Sequence, residues 1–131
     1  MAVSYSQALQ NTRMDSVITT IDAHASPATL EICTAAYAGV ICIITLNDPS
    51  FVRSGTKPNT LITLQGVPKS GTASLAGTNT AAVARIKEGG GTVILDGLTV
   101  GTSGADINLN STSITNGQTV TVSAGTITHS A

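Results

Sequence analysis

The sequence predicts a mainly β protein, a β-sandwich or jelly roll of about eight short antiparallel strands preceded by one N-terminal α-helix. Three observations predict it. Helical periodicity is confined to the residues before Ser26 and Pro27. After them come short runs rich in Val, Ile and Thr, the side chains that suit a pleated, half-buried surface. Between those runs, turn residues recur at intervals of roughly ten positions, the spacing of a sandwich and not of alternating β and α units.

Residues 1–26 form the helical segment. Ser4 followed by Gln7 fits a capping box, in which a hydroxyl and an amide satisfy the orphan N–H groups of a helix start. Tyr5, Ala8, Leu9 and Thr12 fall at i, i+3, i+4 and i+7, and Met14, Val17, Ile18 and Ile21 repeat the template. At about 100° per residue the second stripe lies nearly opposite the first, which a lone helix on one core does not do. Either the helix breaks near Asn11 and Thr12, or its halves bury against different surfaces, one of them on another subunit. Tyr5, Leu9, Met14 and Ile18 are therefore the candidate subunit contacts.

Residues 27–131 form the β part of what is a single domain overall. The expected strands cover 29–33, 40–44, 60–64, 81–87, 92–100, 105–110, 118–122 and 126–128. Turn signals separate them at 47–49, 57–59, 66–68, 89–91 and 116–117. Asn116 and Gly117 are expected to form a two-residue type I′ hairpin turn, with φ above zero at both. Tyr5, Tyr37 and Phe51 are the only aromatic residues, so the core is expected to be aliphatic. No repeat of solenoid period is visible.

Composition narrows the function classes. Only 10% of the 131 residues are charged, whereas 21 are Thr and 13 are Ser, so the exterior is hydroxylic. Six cations against seven anions give a net charge of −1, too few scattered positive charges for a dedicated nucleic-acid binder. So low a charge favours association, and a homo-oligomer, a dimer or trimer, is expected. No apolar stretch approaches a membrane span, so no membrane partner is expected. Residues 1–5 show neither the basic nor the apolar region of a secretory signal, and synthesis in a reducing cytoplasm is the default.

Candidate chemistry is sparse. His24 sits at the helix end and His129 near the C-terminus; each is read structurally, not as a general base. No serine occupies a nucleophile elbow. Cys33 and Cys42 are equidistant from the junction of Tyr37 and Ala38, so a hairpin across that point would face the two thiols toward each other. Reduced core packing is preferred over a disulfide in a reducing compartment. Asp106, Asn108 and Asn110 open like a calcium loop, but Ser111 and Gly117 stand where its glycine and bidentate glutamate belong. They are read as one polar face of a strand. The stretch from Gly55 to Lys57 lacks the upstream glycine of a phosphate-binding loop and is followed by Pro58. No enzyme, metal or cofactor is expected.

Resemblance carries the reading further. The phrases MAVSYS at 1–6, TTIDA at 19–23, GLTVGTSGADINLNST at 97–112, QTVTV at 118–122 and TITH at 126–129 resemble small structural proteins of tailed bacteriophages. Within that group the chain is most similar to head decoration, or cement, proteins of short-tailed phages; residues 51–80 carry no shared phrase. The resemblance implies a β-sandwich or jelly roll made in the bacterial host cytoplasm and mounted on the capsid exterior of the virion. There it would clamp neighbouring major capsid proteins against internal DNA pressure. The alternatives are a neck, tail or fibre-base part of the same particle and, more remotely, a carbohydrate-binding sandwich, for which three aromatic residues leave little to build a platform.

Overall fold

The computed structural model describes residues 5–57 and 59–128. A helix, α1 (Gln7–Asp22), precedes eleven strands: β1 (Thr29–Cys33), β2 (Val40–Thr45), β3 (Phe51–Ser54), β4 (Leu61–Leu64), β5 (Lys69–Thr72), β6 (Thr78–Thr80), β7 (Val83–Lys87), β8 (Val93–Gly101), β9 (Ile107–Leu109), β10 (Ser113–Thr115) and β11 (Thr119–Thr128). The mainly β architecture with one N-terminal helix is as expected. The strand count is higher than the sequence suggested, and one pair, β8 with β9, is parallel.

Nine strands form one sheet in the order β2-β1-β7-β8-β9-β11-β4-β3, with β5 pairing β11 off that path, while β6 and β10 form a separate ribbon. The large sheet curls back on itself. After β5, the Ser74 N–H donates to the Ile41 carbonyl of β2 at 2.9 Å, joining elements far apart in the strand order. Gly71 makes the crossing possible: a Cβ there would lie 2.8 Å from Cys42 Sγ and 3.2 Å from the Ile43 carbonyl oxygen. The curl encloses one aliphatic core in which Leu30, Ile32, Ile44, Ile62, Leu64, Ile86, Ile107, Ile114, Val120 and Val122 surround a single aromatic, Phe51.

α1 is continuous, so the expected alternative of a break near Asn11 and Thr12 does not hold. Its cap is Ser6, whose hydroxyl accepts from Leu9 N–H at 3.2 Å. Ser4 lies outside the described residues, and Gln7 serves a different purpose from the expected capping box. The face that α1 buries runs through Gln10, Met14 and Ile21, with Val17 and Ile18 packed beside them. In its first turns amides take the place of apolar side chains. Thr60, fully buried, accepts from Gln7 Nε2 at 2.9 Å and donates to Gln10 Oε1 at 2.9 Å. Gln10 Nε2 donates to the Tyr5 carbonyl at 3.2 Å, and Lys57 N–H donates to Gln7 Oε1. Farther along, Arg53 pairs with Asp15 at 2.7 Å and Asp22 accepts from Ser50 N–H at 3.1 Å. The helix is thus pinned along β3 and β4.

Candidate interaction surface

β1, β2 and β7 place a charged cluster on the sheet face that points away from the core. Alternation along β1 turns Leu30 and Ile32 inward and Glu31 outward. In the ladder Glu31 stands opposite Ile43 on β2 and Arg85 on β7. Arg85 Nε donates to Glu31 Oε1 at 2.7 Å, and Lys87 Nζ lies 3.2 Å from Oε2, so both carboxylate oxygens are engaged. Glu31 is 5% exposed. Burial raises its carboxyl pKa, but the hydrogen bonds and charges of Arg85 and Lys87 outweigh burial and hold it below the ordinary glutamate value.

Tyr37 closes the cluster. The Arg85 guanidinium lies 5.2 Å from the centre of its ring. The phenol donates to the Ala84 carbonyl at 3.4 Å and accepts from Gly97 N–H. To bring the ring there, Ala36 and Tyr37 adopt φ of 56° and 58°, a left-handed region that L-residues resist. The turn is over-determined: Thr34 N–H donates to the Gly39 carbonyl at 2.9 Å while Gly39 N–H donates to Thr34 Oγ1 at 2.9 Å. One row along, Lys87 faces Thr29 on one side and Val93 on the other. Two apolar side chains, Ile43 at 53% exposure and Val93 at 39%, therefore flank an ionic centre in which one carboxylate is shared by two cations.

The residues singled out from sequence fall elsewhere. Met14 is 4% exposed and belongs to the chain's own core, so it is not available as a subunit contact, and Ile18 packs half-buried against that core. The two stripes of the helix do not both need partners, because Gln7 and Gln10 continue the inner face. Leu9 remains outward at 44% exposure, and Arg13 stacks on the half-buried Tyr5 ring at 4.7 Å. Cys33 and Cys42 are free and buried, and they are not cross-strand partners. A bulge after Ile32 pairs Ile32 with Cys42 and Cys33 with Val40, which places the thiols on opposite faces. Burial pushes both thiols up in pKa, away from reactivity.

Asn116 and Gly117 also depart from expectation. Gly117 has φ of 85° while Asn116 stays outside the positive region, so the turn is not type I′. It is no hairpin either, because β10 pairs with β6 whereas β11 pairs with β5, β9 and β4. Gly117 N–H and Asn116 N–H donate to the carbonyls of Ala73 and Gly77, clamping the turn to a neighbouring loop. Asp106, Asn108 and Asn110, expected as one polar face of a strand, lie on and beside β9, with only Asn108 inside it. Their side-chain oxygens accept from Thr99, Ala105 and Thr121 N–H, each at 3.0 Å; the first two hold the β8–β9 connection and the third ties the end of β9 to β11.

His24 is exposed, its Nδ1 accepting from Ser26 N–H at 3.1 Å; His129 lies outside the described residues. Beside His24 a cleft of about 50 Å³, lined by Asp22 and Asp48 among others, is far smaller than an ordinary ligand pocket. Among the described residues no group of His, Cys, Asp and Glu has metal-site geometry, and no helix is long and apolar enough to cross a membrane. Comparison of the chain with protein families, with characterised sequences and with solved structures finds no match.

The charged cluster went unmarked in the sequence reading although its signal is there. A lone Glu between Leu30 and Ile32 must turn outward, and Arg85 and Lys87, two apart, share one face of the strand that pairs with it.

Proposed function

We propose that the protein is a structural component of a phage virion that binds the outer capsid surface and cements neighbouring major capsid proteins. In this reading the curled sheet is the sandwich or jelly roll that the sequence resemblance implies. A clamp needs two separate contact surfaces, and the observation that carries the reading is that the large exposed apolar side chains fall into two sets. Ile43 and Val93 lie on the outer face of β2-β1-β7-β8, while Leu9 and Val52 lie on α1 and on β3, at the other end of the strand order. Internal pressure pushes subunits apart, and a bridging protein adds contact area that must be lost before they separate. With few charges available, such contacts rest on packing and main-chain pairing and depend little on salt.

The test is copy number. Gel densitometry of purified virions against the major capsid protein is expected to give a simple ratio near one, as repeated lattice sites require. The protein is expected to stay on heads through a few hundred millimolar salt. A dozen copies or fewer per particle moves the assignment to the neck, tail or fibre base. Absence from the particle overturns the virion reading, and only then does a glycan-binding screen become informative.

A further inference from the structure

We propose that Asn116 and Asp96 are the chain's two sites of succinimide chemistry, and that the fold keeps both closed by engaging the glycine N–H that would react. Asn116-Gly117 and Asp96-Gly97 are the one Asn-Gly and the one Asp-Gly pair in the sequence. Glycine has no side chain, so the nitrogen that follows each side chain is unhindered. At 116 the Gly117 nitrogen, having lost its proton, attacks Asn116 Cγ and ammonia leaves. At 96 the Gly97 nitrogen attacks Asp96 Cγ and water leaves. Water then opens the five-membered imide at either carbonyl, giving aspartate or isoaspartate. In isoaspartate the main chain runs through the side chain and is longer by a methylene, which disturbs any ladder it belongs to.

All four residues are exposed, so burial does not protect them. The β7–β8 register passes from Leu98 to Leu95 at a bulge and skips Asp96 and Gly97, while β11 begins only at Thr119. Each glycine N–H is nonetheless given an acceptor by a distant segment. Gly97 N–H donates to the Tyr37 phenol oxygen, and the phenol is itself anchored by donating to the Ala84 carbonyl at 3.4 Å. Gly117 N–H donates to the Ala73 carbonyl at 2.8 Å, and Asn116 N–H to that of Gly77 at 3.0 Å. A bonded N–H must give up its acceptor before the nitrogen can lose its proton and swing to Cγ, so reaction waits for local opening. The left-handed turn at Ala36 and Tyr37 thus supplies the acceptor that the bulge lacks.

The inference is independent of the capsid reading and is tested without capsids. The full chain is incubated in mildly alkaline buffer for Asn116 and mildly acidic buffer for Asp96, and peptide-mapped for aspartate and isoaspartate against the same chain in urea. Conversion at each site is expected to be at least about tenfold slower in the folded chain. Hydrogen exchange is expected to show the Gly97 and Gly117 amides protected. Tyr37→Phe removes only the phenol oxygen, and is expected to speed isoaspartate formation at 96 at least about fivefold while leaving 116 unchanged. Equal rates in the folded and unfolded chain overturn the inference, as does exchange of either glycine amide at the rate of an open peptide. So does a Tyr37→Phe chain with the parent circular dichroism spectrum in which site 96 stays slow or both sites speed up alike. If Tyr37→Phe does not fold, exchange of the Gly97 amide in the parent decides.

Discussion

Two polar networks stabilise this protein, and they are built from different chemistry. Under α1 the network is uncharged: two amides and one hydroxyl, with Gln10 and Thr60 removed almost wholly from water. On the outer face it is ionic: a buried carboxylate between two cations that keep about a quarter of their side-chain surface in solvent. Neutral groups can be buried completely once their donors and acceptors are matched. Charges remain near water because desolvating them costs more than pairing returns. The neutral network fixes where the helix sits; the ionic one ties β1 to β7 on the outer face.

The largest expected effect comes from breaking the ionic network at its centre. Glu31→Ala leaves Arg85 and Lys87 adjacent and unpaired, and chemical denaturation is expected to show a loss of about 3 kcal/mol. The same carboxylate sets an acid limit. Its folded pKa is depressed, so its contribution is complete above the unfolded glutamate value of about 4.3 and disappears as pH falls through the lower folded value. Thermal melts between pH 6 and pH 2.5, approximately, should therefore show an acid-dependent loss that is smaller in Glu31→Gln. An equal acid slope in both would assign that sensitivity to another carboxylate.

The neutral network is expected to yield less. Thr60→Val keeps the shape but orphans Gln10 Oε1 and one Gln7 donor, for a loss of about 2 kcal/mol with no change in acid slope. A pH-dependent loss there would contradict the contrast between the networks. Outside both, Gly117→Ala meets no neighbour within 4 Å, so its cost is the left-handed backbone alone, about 1 kcal/mol. The smallest effect is expected at the exposed pair. A double-mutant cycle on Asp15 and Arg53, with side chains 53% and 33% exposed, should give a coupling of about 0.5 kcal/mol or less.

Sequence reasoning recovered the longer strands that carry several buried apolar side chains. The expected 29–33, 40–44 and 60–64 match β1, β2 and β4 closely, because each carries Ile or Leu toward one core. It missed β3, β5, β6 and β10: FVRS and SIT, the sequences of β3 and β10, are too short for their alternation to stand out, and KSGT and TNT, those of β5 and β6, contain no apolar residue and owe their strand character to pairing with β11 and β10. It divided β11 in two at Ser123, where a bulge shifts the register while the strand continues. The helix stripe was misassigned for a similar reason. Gln7 and Gln10 look polar in a hydrophobic pattern, and only Thr60, some fifty positions away, makes them suitable for burial.

The sequence by itself determined the helical start, the β remainder, the aliphatic core and the low charge, since each follows from local periodicity and composition. The tertiary structure alone decided register and partnership. One bulge after Ile32 separates two cysteines that symmetry about residues 37 and 38 would have joined, and the curl of the sheet brings β5 against β2 through Gly71. The pairing of β1 with β7 assembles Glu31, Arg85 and Lys87 from segments some fifty residues apart. The physical reason is that side-chain alternation is a property of one strand, whereas a one-residue slip between strands costs nothing locally and reverses every neighbour.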